Sequence, residues 1–132
     1  MPNEQEALQA NELFYRAFNE RDIELMARIW DNDPLALCIH PGWEAICGYS
    51  AILKSWVDIF HSGEGLELSL SDVKIVVSHD LAWVNCQENL FSMSLRGVHA
   101  SRVHATNLYR RTHGTWRMIL HHASAVPQIL PE

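Results

Sequence analysis

Between residues 4 and 20, apolar side chains recur at three- and four-residue spacing. Ala7, Ala10, Phe14, Ala17 and Phe18 fall on one face, while Glu6, Glu12, Arg16 and Glu20 point elsewhere. That period predicts an amphipathic helix. Asn3, with Glu6 three positions later, resembles a helix-start box. Asp22 is placed to cap a second, short helix that buries Ile23, Met26, Ala27 and Trp30. The run Asp31-Asn32-Asp33-Pro34 then breaks it. Leu35 to Ile39 fits a brief strand, and Pro41-Gly42 within His40-Pro41-Gly42-Trp43 suits the central positions of a type II turn. Ser50 is expected to cap a third helix that buries Ile52, Trp56, Ile59 and Phe60, with Gly63 and Gly65 ending it.

After residue 65 the period changes from 3.6 to two. Leu66, Leu68 and Leu70 alternate with Glu67, Ser69 and Ser71. Near Asp72 the phase shifts to Val73, Ile75 and Val77, which predicts a bulge. Three more long strands are expected at 81–93, 98–111 and 115–126, joined by short hairpins at Ser78-His79-Asp80 and Thr112-His113-Gly114-Thr115. Three helices followed by a bent antiparallel sheet make an α+β arrangement in which the helices cover one sheet face.

Composition narrows the classes. With 48% hydrophobic and 20% charged residues, the chain cannot be intrinsically disordered, and residues 1–132 read as one domain. Sixteen Asp+Glu against ten Lys+Arg leave a net charge of −6, so nucleic acid is not an expected partner. Residues 1–12 contain no apolar signal core, and no run approaches the ~18 apolar residues of a membrane helix. Neither secretion nor a membrane partner is expected. Cys38, Cys47 and Cys86 are odd in number and lack C-x-x-C spacing. They read as reduced, mostly buried thiols, which points to the cytoplasm.

Three segments carry a resemblance: "LCIHPGWEAICGYSAILKSWVDIF", "LAWVNCQENLF" and "ATNLYRRTHGTWRMILHHAS". Together they are similar to the SnoaL-like branch of the nuclear transport factor 2 superfamily, over roughly residues 5 to 127. Ketosteroid isomerase, scytalone dehydratase and polyketide cyclases share that fold. The resemblance implies a cone, a curved sheet wrapped round a pocket whose mouth the helices partly close. It also implies a homodimer packed through the outer sheet surface. A fold of this kind hosts many unrelated functions. In ketosteroid isomerase a carboxylate base follows the first short strand, and a first-helix tyrosine and a protonated late-strand aspartate form the oxyanion hole. The corresponding positions here are His40 before Pro41, Phe14 with Tyr15 beside it and turned away by about 100°, and Asn107. The full triad is absent, so steroid isomerisation by that route is not expected.

Strand parity supplies a separate set of pocket candidates. Glu88 shares a face with Ala82, Val84, Cys86 and Leu90, whereas Trp83, Asn85, Gln87 and Asn89 share the other. Burial on an apolar face would raise the Glu88 pKa toward a value useful for acid–base work. The structural alternative is an ion pair with Arg102, Arg110 or a histidine. The last strand places Trp116, Met118, Leu120, His122 and Ser124 together, with His121 opposite. His40, Glu88 and His122 are therefore the candidate catalytic set, with His40 as the base and Glu88, Asn107 and His122 as donors or charge stabilisers, each histidine having a structural reading as a hydrogen-bonded imidazole. Tyr15, Trp43, Trp56, Asn107 and Ser124 are the candidate substrate-binding residues. Trp43 and Trp56 can each offer an indole N–H, core filling being the simpler role for Trp56. Trp83, on the polar-rich face, suits a dimer interface, and Arg110-Arg111 reads as a solvated strand end.

His40, Glu88 and His122 form a His₂-carboxylate set, yet no compact metal spacing occurs, so no metal is expected. There is no motif for a nucleotide, flavin or haem, and cofactor-free chemistry is the default. Two functions fit. One is an enzyme holding a small, largely apolar molecule with a carbonyl or hydroxyl, for isomerase-, dehydratase- or cyclase-type proton transfer. The other is a non-catalytic ligand-binding or dimerisation module.

Overall fold

The computed structural model describes residues 2–62, 66–94 and 97–127. Helix α1 (Pro2–Glu20) begins earlier than expected, and Asn3 lies inside its first turn. The Asn3 side chain accepts a hydrogen bond from Arg111 at 2.9 Å and does not cap the helix. Asp22 does cap α2 (Ile23–Ile29), accepting the Leu25 N–H at 3.0 Å. Replacing Asp22 with Ala should cost about 1 kcal/mol, read as a lower urea midpoint with an unchanged denaturant slope. No loss of midpoint would show that α2 is held by packing alone.

Strand β1 (Leu37–Ile39) is shorter than the apolar run that predicted it, and Leu35 is exposed. His40 to Trp43 form the expected turn, with the Trp43 N–H donating to the His40 carbonyl at 2.9 Å and Gly42 at φ +80°. A two-residue strand, β2 (Ile46–Cys47), follows unpredicted and pairs with β1. Helix α3 (Tyr49–Ser62) opens on the Gly48 carbonyl, which accepts the Ile52 N–H. Ser50 is therefore within the first turn of the helix and is not its cap. The expected stops at Gly63 and Gly65 lie outside the described residues.

The long strands are β3 (Leu66–Ser78), β4 (Leu81–Ser94), β5 (Gly97–Thr112) and β6 (Thr115–Ala125). The sheet order is β2-β1-β6-β5-β4-β3. The neighbours are antiparallel except β1 and β6, which run parallel and so correct the all-antiparallel expectation. The β3 bulge occurs where the phase shift placed it, between Ser71 and Lys74, with Asp72 at φ +52°. Ile75 and Val77 pack against the core, but Val73 sits in the bulge and is exposed.

One parity expectation fails. Tyr109 pairs with Met118 while Leu108 pairs with Leu120, leaving Ile119 as an extra residue in β6. The bulge reverses every side chain beyond it. His121 is buried, whereas His122 and Ser124 are exposed. The expectation that His122 and Ser124 face the interior is corrected on this ground. Arg110 and Arg111 are also not simply solvated. Arg110 donates to both Asp31 and Asp33, and Arg111 pairs with Asp80 and lies over Trp116.

Helix α1 lies against β3, β4 and β6, α2 against β6, and α3 against α2 and β2. Phe14, Met26, Trp30, Ile52, Trp56 and Tyr109 fill the space between the helices and the sheet. No helix among the described residues is long and apolar enough to cross a membrane.

Candidate active site

Among the described residues, six polar side chains are buried in this apolar interior: Asn11, His40, Ser55, Glu88, Asn107 and His121. Parity places four of them. Glu88 points inward from the unbulged part of β4, Asn107 points inward from β5, and the Ile119 bulge turns His121 in to face Asn107 across the strand pair. His40 follows β1, whose Cys38 pairs with His121 on the same inner row. Helix periodicity places the other two: Asn11 is four residues after Ala7 on the buried side of α1, where Tyr15 follows four later, and Ser55 is three after Ile52 on the buried side of α3. Both Phe14 and Tyr15 are buried, so Tyr15 is not turned away from the interior. Their two directions both fall within the wide buried face of α1.

Hydrogen bonds join Asn11, Glu88, Asn107 and His121, with Tyr15 and Tyr109, into one network, and His40 and Ser55 into a separate set. The Tyr15 hydroxyl donates to Glu88 Oε2 at 2.6 Å and accepts from Asn107 Nδ2 at 3.0 Å. Asn107 Nδ2 also donates to Asn11 Oδ1 at 2.9 Å, which accepts the Tyr109 hydroxyl as well at 2.7 Å. With both amide hydrogens spent, Asn107 Oδ1 is an acceptor, so His121 Nδ1, 2.6 Å away, carries a proton. The separate set holds His40. Ser55 Oγ donates to the Ile52 carbonyl at 2.6 Å, so its oxygen accepts from His40 Nε2 at 2.9 Å. Trp56 packs at right angles to His40, with ring centroids 4.7 Å apart, and Trp43, 47% exposed, covers His40 from the solvent side at 4.8 Å.

Burial dominates the electrostatics. It pushes the Glu88 carboxyl from 4.5 up to about 7, although the Tyr15 hydrogen bond pulls the other way. Burial lowers His40 to about 4. His121 falls to about 3 through burial, with the nearby His40 and His122 adding to it. Both imidazoles are therefore neutral near pH 7 while Glu88 is partly protonated. Tyr15 is raised well above its usual range by burial and then by the Glu88 charge. Burial raises Cys38 as well, and takes Cys86 to about 11, so neither thiol is a ready nucleophile. Among the described residues, no lysine, arginine or histidine lies within ion-pair distance of Glu88, and Arg110 is committed to Asp31 and Asp33.

The interior thus brings together His40, Glu88, Tyr15, Trp56 and Asn107 from the sequence candidates. Trp43 stands at their edge, and His122 and Ser124 are on the opposite face of the sheet. His121, Asn11, Ser55 and Tyr109 were missed. Tyr109 shares parity with Asn107, and Asn11 lies on the apolar stripe of α1, so both signals were available. No three His, Cys, Asp or Glu side chains among the described residues come together as a metal site. A described surface groove of about 570 Å³ lies elsewhere, along Asn19, Arg21, Leu66, Phe91 and Val98.

The profile of the SnoaL-like domain family matches residues 7–128. A structure from Streptomyces avermitilis, named as a "putative dehydratase from the NTF2-like family", is 31% identical. It covers 96% of this chain and 98% of its own, with a TM-score of 0.88. A "putative calcium/calmodulin-dependent protein kinase type II association domain" from Thiobacillus denitrificans is 30% identical, covering 89% and 93%, with a TM-score of 0.80. The F-box protein SKIP8 of Arabidopsis thaliana is 28% identical over 119 residues, which are 90% of this chain and 49% of that protein. The chain therefore spans about half the length of this curated relative.

Proposed function

Because the chain belongs to the SnoaL-like domain family of the nuclear transport factor 2-like superfamily, we propose that it holds a small, largely apolar molecule inside the cone and moves a proton on it. Glu88 is the proton-transfer group in this reading. The observation that carries it is a buried carboxyl with no cation partner among the described residues, held by a tyrosine and titrating near 7. A structural carboxylate at this depth is ordinarily paired with a charge. One kept near 7 without such a pair can both accept and return a proton at neutral pH. Tyr15 holds its oxygen in place. His40, lowered to about 4, is a weaker base than Glu88 and serves as a neutral polar group beside Trp43, on the side where a molecule would enter.

The reaction class follows from these groups: a carboxylate takes a proton from carbon beside a carbonyl, the electron pair moves toward the oxygen, and the same proton returns elsewhere. The test is exchange of α-hydrogens of small cyclic ketones in D₂O, followed by proton NMR. Wild type is expected to exceed buffer alone with a pH midpoint near 7, and Glu88→Gln to lose at least about 100-fold of that rate. Exchange no faster than buffer in a folded wild-type protein would overturn the reading.

A second reading, a non-catalytic binding or dimerisation module, is favoured by the aromatic filling of the interior, since Phe14, Trp30, Trp56 and Tyr109 are almost fully buried. The homodimer itself belongs to both readings. A row of apolar residues crosses the outer face from strand to strand: Leu37, Leu120, Leu108, Trp83 and Val76. Asn85 and Gln87 flank it on β4. Such a row, with an aromatic in it, supports packing of one sheet on a second copy. Wild type should sediment at twice the 15.1 kDa chain mass at micromolar concentration, and Trp83→Lys should shift it toward monomer. A wild-type monomer would contradict this.

A further inference from the structure

The Tyr15 hydroxyl has three polar neighbours and one proton to give. Glu88 Oε2 lies 2.6 Å away, Asn107 Nδ2 3.0 Å and Cys86 Sγ 3.4 Å. Asn107 can only donate here, because its nitrogen faces the hydroxyl and its oxygen is taken by His121. One lone pair of the Tyr15 oxygen is therefore occupied whatever the state of Glu88. The proton and the second lone pair are left for the carboxyl and the sulfur. Cys86 stands two residues before Glu88 on the same buried row of β4, so both groups reach the hydroxyl from one strand. The proton-transfer reading gives this buried thiol no part.

The two charge states of Glu88 set opposite demands. An ionised carboxylate only accepts, so Tyr15 donates to it, and the second lone pair of Tyr15 is open to the Cys86 S–H. A protonated carboxyl has a hydrogen of its own to place, and a buried donor left unpaired is unfavourable. Placed on Oε2, that hydrogen meets the Tyr15 oxygen at 2.6 Å, a length that suits an O–H···O bond in either direction. The Tyr15 hydrogen must then leave Oε2. Of the acceptors described beside it, Cys86 Sγ remains.

We propose that Cys86 Sγ is the second seat of the Tyr15 proton: the hydroxyl points to Glu88 while that carboxyl is ionised and turns to the sulfur when it is protonated. Cys86 is thus a positioning residue that acts through Tyr15 and favours the protonated form of Glu88. This rests on the reading of Glu88 as a group that gains and loses a proton. No O–H bond of Tyr15 breaks in the turn, which is a rotation about its C–O bond. The carboxyl exchanges its own proton with solvent or substrate. The remaining groups about Glu88 stay neutral meanwhile. Its strand neighbours Leu70 and Val103 carry no charge. Burial raises the thiols of Cys86 and Cys38 and the phenol of Tyr15, so all three keep their protons while Glu88 titrates.

The infrared S–H stretching band of Cys86 reads this turn in the full chain. Cys86→Val identifies the band by its absence, and Cys86→Ala serves if the valine variant does not fold. In wild type the band is expected to move to higher frequency as Glu88 is protonated, because the thiol stops donating to Tyr15. Glu88→Gln should hold the band still through the neutral range. Tyr15→Phe should also hold it still, although Glu88 titrates there. Valine is close to cysteine in size but offers no acceptor. In Cys86→Val the Glu88 carboxyl, followed by carbon-13 NMR, should therefore titrate about half a pH unit lower, a roughly threefold weaker hold on its proton. A wild-type band that ignores the Glu88 titration, or one that moves equally in Tyr15→Phe, would overturn the second seat. So would a Cys86→Val midpoint that stays or rises. Failure of ketone exchange with these results intact would overturn the proton-transfer reading and leave the two-seat hydroxyl standing.

Discussion

Replacing Asn107 with leucine is expected to lower the unfolding free energy by about 3–5 kcal/mol. Asn107 is fully buried and uses every polar atom of its side chain, donating to Asn11 and Tyr15 and accepting from His121. Leucine keeps its branched shape and is somewhat larger, so none of the loss comes from a cavity. The partners fare unequally. Tyr15 keeps its bond to Glu88, and Asn11 keeps the one from Tyr109. His121 Nδ1–H loses its one described acceptor and is left as a buried, unpaired donor, which is the larger part of the cost. Urea unfolding measures the change. A loss below about 1 kcal/mol would mean that the network does not hold the interior together.

The second large effect is a stability that falls on the acid side of neutrality and levels off near pH 7. Glu88 has its folded pKa raised from 4.5 to about 7, so between these values the folded state binds more protons than the unfolded chain, and stability falls as pH rises. His40 and His121 are lowered from 6.5 to about 4 and about 3. Between those values and 6.5 the unfolded chain binds more protons, and stability falls as pH drops. From 4.5 to 6.5 two histidines oppose one glutamate and the acid side loses. Above 6.5 the unfolded histidines are still losing protons, and what they contribute offsets what Glu88 loses, so wild-type stability is level up to pH 8. The ionisation of Glu88 costs roughly 3 kcal/mol once complete. Glu88→Gln keeps an oxygen for Tyr15 and removes the ionisation, so at pH 8 it should be more stable than wild type by up to roughly 3 kcal/mol, and its stability should still rise above pH 6.5 where wild type is level. Thermal unfolding at half-unit pH steps reads both curves. A Glu88→Gln curve parallel to wild type would assign the effect to other groups.

How much of this was legible in the sequence depended on where each strand kept its phase. The alternation in β4 is unbroken from Ala82 to Leu90, so Glu88 reads as inward-facing from the sequence alone. In β6 the three consecutive apolar residues Met118, Ile119 and Leu120 fit either phase, and pairing with β5 decides it by expelling Ile119 from the ladder. That single bulge exchanges His121 for His122. The bulge at Asp72 was readable because polar and apolar positions visibly change places there. On α1 the apolar stripe, on which Asn11 sits, located the buried face but not its width, and Tyr15 lies where that face broadens toward Glu88 and Asn107. The parallel pairing of β1 with β6 left no local mark, since a three-residue strand carries no information about its partner.

The central claim is that Glu88 exchanges a proton near neutrality inside an interior whose imidazoles stay uncharged. Carbon-13 NMR of the glutamate carboxyls, with the Glu88 resonance assigned through Glu88→Gln, tests it most directly. A Glu88 midpoint near 7, with the His40 and His121 ring nitrogens still neutral at pH 6, is the predicted result. A Glu88 midpoint near 4.5, or either imidazole charged at pH 6, would contradict it.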